Sequence, residues 1–452
     1  MSKANQLQQY QKMTTLPIPR LVISLGIPTV ISMLVTNIYN LADTYFVGRL
    51  GTSASGAVGV IFGLMSIIQA VGFMLGQGAG SILARRLGQK DEESAGIYAS
   101  VSFFLALIMG VVFTVTALIL IDPLLDLLGC TTTILPYAKK YATYILLATP
   151  AMMCCFVLNN VLRFEGKARL AMIGLVSGGI LNMVGDPIFM FIFNMGIDGA
   201  GLSTALSQYI SFMILLSIFL LKKTQSVISL KNFLKITPSK TWEIFTIGLP
   251  SLVRQGLSSI SIMLLNQCAR NYGDSAVAAM SIVSRISFFF FAIGLGLGQG
   301  FQPVCSFNYG AKLYSRVKEA FKFTLKISGI VIGIFALCGI FFAPFLISLF
   351  RNDPLVIQKG HLALILHCIA LTTHPISVMA NMTFQSTGNK LPALISSMMR
   401  SGLYFIPVLL ILHGLFGFVG VQCAQPLADL LSALTVMPMI TKFFAKLPAD
   451  GK

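Results

Sequence analysis

The sequence predicts an all-α polytopic membrane protein of twelve transmembrane helices, arranged as two six-helix lobes related by pseudo-two-fold symmetry. Three observations predict it. Only 10% of the 452 residues are charged, against 56% hydrophobic. A soluble domain is nearer about 25% charged. Long apolar runs recur along the whole chain, and a set of Gly, Pro and Gln anchors repeats at one constant offset.

A helix needs about 20 apolar residues to cross the hydrocarbon of a bilayer. Twelve runs qualify: 20–45, 54–84, 96–121, 134–160, 168–194, 198–221, 243–270, 276–307, 323–350, 355–382, 392–413 and 418–444. They are long and continuous and do not alternate, so they read as helices and not as barrel strands. The first carries Tyr39, Asn40 and Asp43. The fourth ends in Asn159 and Asn160. The fifth holds Asn182, Asp186 and Pro187, and the sixth has Thr204 near its start. Arg254 lies in the seventh, Arg285 in the eighth and Asp429 in the twelfth.

Orientation follows from the basic residues, because cytoplasmic loops of membrane proteins are enriched in Lys and Arg. With the N-terminus inside, alternation places on the inner side Lys3, Lys12 and Arg20, then Arg85, Arg86 and Lys90, then Arg163, Lys167 and Arg169. Lys222, Lys223, Lys231, Lys235 and Lys240 follow, then Lys312, Arg316, Lys318, Lys322 and Lys326. Lys390, Arg400, Lys442, Lys446 and Lys452 complete that side. The outer side keeps only Arg49, Lys139, Lys140, Arg270, Arg351 and Lys359. Both termini are therefore expected in the cytoplasm. The same distribution explains the net charge of +17 without nucleic acid. The polar opening MSKANQLQQYQKMTTL has no short apolar core with a small-residue cleavage site, so no signal peptide is expected. The eight cysteines show no metal spacing and read as small buried hydrophobes.

The longest and most basic loop, Lys222–Trp242, divides the chain near its middle. This gives an N-terminal lobe at 1–222, a basic cytoplasmic linker at 223–240 and a C-terminal lobe at 241–452. The halves look like copies. GIPT at Gly26 matches GLPS at Gly248, LGQG at Leu75 matches LGQG at Leu297, LGQK at Leu87 matches YGAK at Tyr309, and Gly166 matches Gly388. Every pair keeps the spacing that separates Gly26 from Gly248, with no gap. Repeats of this kind, in the same topology, are a device of transporters, which bind substrate near the bilayer midplane.

No catalytic set emerges around His361, His367, His374 or His413, and an enzyme is not expected. GLGLGQG at Gly294 lacks the Lys-Ser/Thr of a phosphate loop and reads as close helix packing. Without a nucleotide motif or any cofactor motif, an ion gradient is the expected source of energy. The acids are the informative residues. Asp43, Asp186 and Asp429 lie well inside spans, where an Asp costs about 2.5–3.5 kcal/mol on insertion scales. Tyr39 and Asp43, like Asn182 and Asp186, are four residues apart and share a helix face. No basic residue of the first half lies deep in a span to neutralise either acid. Two nearby carboxylates in a low dielectric take up a proton or a small cation between them. Pro187 removes the backbone bond to Met183 and, with Gly178, Gly179 and Gly185, predicts a helix able to bend. In the second half, Asp429 is expected to pair with Arg254 or Arg285, each being costly alone.

These stretches closely resemble the multidrug and toxic compound extrusion family, known as MATE, over about 20 to 445. The carrying motifs are GIPT…NIYNLADTYFVGRLG, GQGAGSILARRLGQK, FEGKAR, LNMVGDPIFMF, GIDGAGLSTALS, GLPS…GQGFQPVCSFNYGAK and FQSTGNKLPA. The resemblance, closest to the prokaryotic branch around DNA-damage-inducible protein F, implies export of cationic amphipathic drugs in exchange for protons or sodium ions. It implies that Asp43, Asp186, Asn182 and Thr204 hold that ion, with Tyr39 and Asn159 as polar neighbours. The implied setting is the bacterial inner membrane, with a monomer as the expected state. The second-half acids of another branch are missing here. A lipid-linked oligosaccharide flippase of the same superfamily is the alternative. It would want a strongly cationic cavity, for which Arg254 and Arg285 are few.

Overall fold

The computed structural model describes residues 3–221 and 223–451, without the side chains of residues 3–5. Lys222 and Lys452, counted above on the inner side, lie outside the described residues, as does the Lys3 side chain. Among the described residues every regular element is helical. We number the long helices α1 (Ile18–Gly48), α2 (Thr52–Gly88), α3 (Glu92–Ile119), α4 (Leu135–Phe164), α5 (Ala168–Pro187) and α6 (Ile197–Leu220) in the first half. In the second half they are α7 (Pro238–Arg270), α8 (Asp274–Gly310), α9 (Tyr314–Phe341), α10 (Pro354–Leu371 continued by His374–Thr387), α11 (390–416) and α12 (418–445). The last two form one helical stretch broken at Gly417, whose φ of 59° and ψ of −132° no helix accommodates. Among the described residues ten stretches are long and apolar enough to cross a membrane, the broken one among them. The polar α7, with Arg254, Gln255 and several serines in mid-helix, completes the twelve.

The repeat reaches into the backbone. Helix α3 and helix α9 have the same length, and both of their ends correspond at the offset of the sequence repeat. Lys90 and Lys312, at the same offset, are both left-handed, with φ of 63° and 59°. Gly51 and Gly273 open α2 and α8 at φ 119° and 89°, a region that glycine enters without steric cost.

Two boundaries depart from the sequence reading. Hydropathy places the ninth run at 323–350, but α9 begins at Tyr314 and ends at Phe341, with a short helix Ala343–Ser348 beyond it. Lys318 and Lys322 therefore stand on the first turns of a helix, where their charge reads as loop. The compact units also differ from the 1–222, 223–240 and 241–452 division. One comprises Met1–Thr15 with Ile31–Leu252, the other Leu16–Val30 with Val253–Lys452. The first half of α1 packs in the C-terminal unit and the first half of α7 in the N-terminal one.

Backbone approach explains the exchange. A Cβ on Gly78 would lie 2.2 Å from the Ile244 carbonyl oxygen, and one on Gly248 2.0 Å from that of Met74. In the other unit a Cβ on Gly300 would lie 2.4 Å from the Gly26 Cα, and one on Gly296 2.7 Å from the Val30 Cα. The GIPT and GLPS glycines thus meet the LGQG glycines of the opposite copy. Helices pack this closely in membranes only where side chains are absent.

In the N-terminal unit, α4 is the most deeply placed span, its buried residues running from Ala138 to Phe164. The linker is also held there. Glu165, fully buried, accepts from the Gln225 and Ser226 amides at 2.9 and 2.8 Å and from Lys167 Nζ at 2.9 Å.

Candidate cation site

The N-terminal unit brings four spans together around two carboxyls. Helix α1 supplies Asp43, α4 supplies Tyr141, α5 supplies Asn182 and Asp186, and α6 supplies Ser203 and Thr204. The approach of α6 to α5 depends on small residues. A Cβ on Gly178 would meet Ser211, and one on Gly185 would lie 2.5 Å from Ser203 Oγ. The Ser211 hydroxyl donates to the Gly174 carbonyl at 2.7 Å. Tyr39, one turn before Asp43, lays its ring against Gly179. The α5 glycines, which the sequence presents as a source of bending, are contact points for α1 and α6.

Asp186 is fully buried, Asn182 and Thr204 nearly so, and Asp43 is 9% exposed. Asn182 Nδ2 donates to Asp186 Oδ1 and to Thr204 Oγ1, both at 3.1 Å. The Tyr141 hydroxyl donates to Asp43 Oδ2 at 3.2 Å. Ser203 Oγ donates to the Asn182 carbonyl at 3.3 Å. The carboxyls of Asp43 and Asp186 belong to the same cluster and are close enough to interact. Among the described residues, no donor reaches three buried oxygens of this cluster: Asp43 Oδ1, Asp186 Oδ2 and Asn182 Oδ1. Buried polar atoms are rarely left so, and a cluster of them calls for a missing donor or cation. Sequence reasoning misses Tyr141 and Ser203. Tyr141 follows Lys139 and Lys140 and looks like an interfacial aromatic.

Asn159 is placed elsewhere. Its amide donates to the Ala171 carbonyl at 2.9 Å, tying α4 to the start of α5. Asn160 turns to the Phe156 carbonyl and to Arg163. Beyond Pro187 the helix does not stop but widens into a π-helical turn, Ile188–Ile192. The proline lacks the N–H that would bond Met183, and the wider turn takes up the mismatch.

The expected ion pair of Asp429 with Arg254 or Arg285 is not formed. Asp429 Oδ1 accepts from Arg400 Nε at 2.8 Å and from Gln425 Nε2 at 2.7 Å, and its Oδ2 meets His374 Nε2 at 2.6 Å. Arg400, assigned above to an inner loop, lies in a second π-helical turn, Met399–Leu403, well inside α11. Its guanidinium sits 4.4 Å from the Phe291 ring centroid. Arg254 instead donates to Asn381 Oδ1 at 3.2 Å, and Arg285 is exposed. The nearer arginine wins because α11 and α12 are consecutive and antiparallel.

The family model for MatE matches this chain twice, over residues 28–188 and 250–434. The two matches begin at equivalent points of the repeat, Pro28 of GIPT and Pro250 of GLPS. Multidrug export protein MepA of Staphylococcus saprophyticus is 27% identical over 429 residues, 94% of either chain. The protein of that name from Staphylococcus aureus is 27% identical over 451 residues, 99% of this chain and 98% of its own. Among solved structures, a multidrug resistance MATE family transporter of the MOP superfamily, outward-facing, superposes with a TM-score of 0.92 at 28% identity. The match covers 98% of this chain and 99% of that one. A MOP superfamily transporter from Pyrococcus furiosus, described as having a binding pocket of reverse polarity, superposes with a TM-score of 0.91 at 27% identity. There the coverage is 97% and 98%.

Proposed function

The chain belongs to the MatE family, and we propose that it exports small, mainly cationic amphipathic compounds in exchange for a proton or sodium ion. The coupling ion binds among Asp43, Asp186, Asn182 and Thr204. The observation that carries this reading is the cluster of three buried oxygens without a donor, on α1 and α5. Relatives named as multidrug exporters support the substrate class.

In this mechanism the two carboxyls cannot both remain charged in a low dielectric at small cost. A proton shared between them, or a sodium ion held by their free oxygens and Asn182 Oδ1, removes the repulsion. Tyr141 keeps Asp43 turned toward Asp186, and Asn182 fixes the other Asp186 oxygen. Pro187 and the following π-turn give α5 a second shape to adopt when the ion binds. Ion binding drives transport only if the ion prefers one of two conformations. In this reading the protein works as a monomer in a bacterial inner membrane with both termini in the cytoplasm, an orientation supported by the excess of Lys and Arg on the inner side.

The test is efflux from vesicles loaded with a fluorescent lipophilic cation, under proton and sodium gradients imposed separately. Efflux driven by one gradient identifies the coupling ion. Efflux that ignores both gradients overturns antiport.

A further inference from the structure

The two copies treat the same helix face in opposite ways. Helices α3 and α9 correspond in the repeat along their whole length. On α3 the face of Gly96, Ser100 and Phe104 is covered by the chain's own linker. The Ser100 hydroxyl donates to the Val227 carbonyl at 3.1 Å and accepts from the Ser229 amide at 3.1 Å. The Asn232 amide lies 3.2 Å from where a Gly96 Cβ would stand. Phe233 packs on Phe104 with ring centroids 4.9 Å apart.

On α9 the corresponding positions are Lys318, Lys322 and Lys326, one above the other at four-residue spacing. The residues after α12 run elsewhere: Asp450 accepts from the Ser315 amide at 2.8 Å and Gly451 donates to the Lys312 carbonyl at 3.0 Å. The face instead borders a groove of about 490 Å³, walled by Lys318, Phe321, Lys322 and Leu325 with Met437 and Ile440 of α12. Lys318 is half-buried and Lys322 exposed. Neither makes a hydrogen bond or ion pair with the described residues. Glu319, beside Lys318 in sequence, is exposed.

We propose that this groove is a binding site for an anionic phospholipid. Its phosphate sits between the Lys318 and Lys322 ammonium groups, and one acyl chain lies along Phe321, Leu325, Met437 and Ile440. The charge of the mouth selects an anion, because basic pockets between membrane helices attract acidic headgroups. The apolar wall selects one with a hydrocarbon tail, which free phosphate lacks. The lipid takes the place that the linker fills in the first copy. This does not rest on the transport reading above.

The experiment uses the full chain in nanodiscs holding phosphatidylcholine with a minor share of phosphatidylglycerol. Lipid retained by the protein is then counted by native mass spectrometry. We expect phosphatidylglycerol to be retained in preference to phosphatidylcholine. Each lysine near an anionic headgroup is worth about fivefold in affinity, so Lys318→Gln with Lys322→Gln lowers that preference about twenty-five-fold. Met437→Trp, which fills the groove without touching charge, is expected to lower retention of both lipids. Equal retention of the two lipids by the unsubstituted protein overturns the proposal, as does a double variant that keeps the preference. Inorganic phosphate that displaces phosphatidylglycerol at millimolar concentration also overturns it, since the site would then read the phosphate alone.

Discussion

Asn159 and Asn381 occupy equivalent places in the two copies and make the same bond. Asn159 Nδ2 donates to the Ala171 carbonyl at 2.9 Å, and Asn381 Nδ2 to the Ala393 carbonyl at 2.8 Å. Ala171 and Ala393 correspond in the same way. In each copy an Asn late in the fourth helix ties down the first turns of the fifth. Asn159→Ala is therefore expected to cost about 0.5–2 kcal/mol of stability while leaving ion-driven efflux in place. Thermal unfolding in detergent, paired with vesicle efflux, checks it. A fully stable variant that no longer couples to the gradient would return Asn159 to the ion site.

The carboxyl pair gives the second prediction. Asp43→Asn and Asp186→Asn each remove the exchangeable charge and relieve the repulsion between the groups. Both variants are expected to fold, with stability equal to or above that of the unsubstituted protein, and to lose gradient-driven efflux. Wild-type pumping by both single variants would move the coupling site elsewhere.

Asp429 answers a different need. It holds Arg400 and His374 from two other helices, so Asp429→Asn leaves a half-buried guanidinium without its carboxylate. The expected loss is about 1–3 kcal/mol, read as a lowered unfolding midpoint and lower yield. Arg285→Gln, at an exposed position, is expected to change neither. Replacing Arg400 and Asp429 together by leucine is expected to recover much of the loss, because no unpaired charge remains. A double variant no more stable than Asp429→Asn would argue that the pair does more than neutralise itself.

Pro187 and its π-turn bear on rate. Pro187→Ala lets a regular α-helix form past Met183 and is expected to leave equilibrium drug binding within about twofold while slowing ion-driven release. Both quantities are to be measured on the same preparation. Unchanged release would reduce Pro187 to a packing residue without disturbing the reading of the carboxyls.

Glycine positions separate by what surrounds them. Gly78→Ala and Gly248→Ala drive a methyl into a backbone carbonyl, and overpacking of this kind costs about 1–3 kcal/mol or more. Gly59 and Gly63 have no heavy atom within 4 Å of an added Cβ. Alanine there is expected to be neutral or to stabilise α2 by about 0.5–1 kcal/mol. Unfolding midpoints for the four variants test the contrast.

Much of this was legible in the sequence because burying charge in a membrane is costly and leaves a trace. Asp43 and Asp186 stood out against apolar runs, and the amide at Asn182 fell on the same face one turn away. The Gly and Pro anchors revealed the repeat because close backbone approach admits no other residue. Tyr141 escaped notice since a tyrosine beside lysines is ordinary at a membrane surface. The partner of Asp429 was misassigned because Arg400, soon after Lys390 in the chain, read as part of a basic loop. Hydropathy likewise started α9 too late, since Lys318 and Lys322 on its first turns look like loop to any average. The exchange of half-helices between units left no trace at all. Periodicity tells which face of a helix is buried, not which helix buries it.

That exchange bears on how the chain is made. The segment Leu16–Val30 leaves the ribosome early, yet its place is against Gly296 and Gly300. At about 5–20 residues per second, roughly a quarter of a minute to a minute passes before that surface exists. During the wait the start of α1 must lodge in lipid or against the insertion machinery without its final neighbours. The N-terminal unit likewise stays unfinished until the first half of α7 arrives. Cutting the gene at the linker would therefore yield two fragments each missing a piece of itself, and only joint synthesis of both would restore a whole molecule.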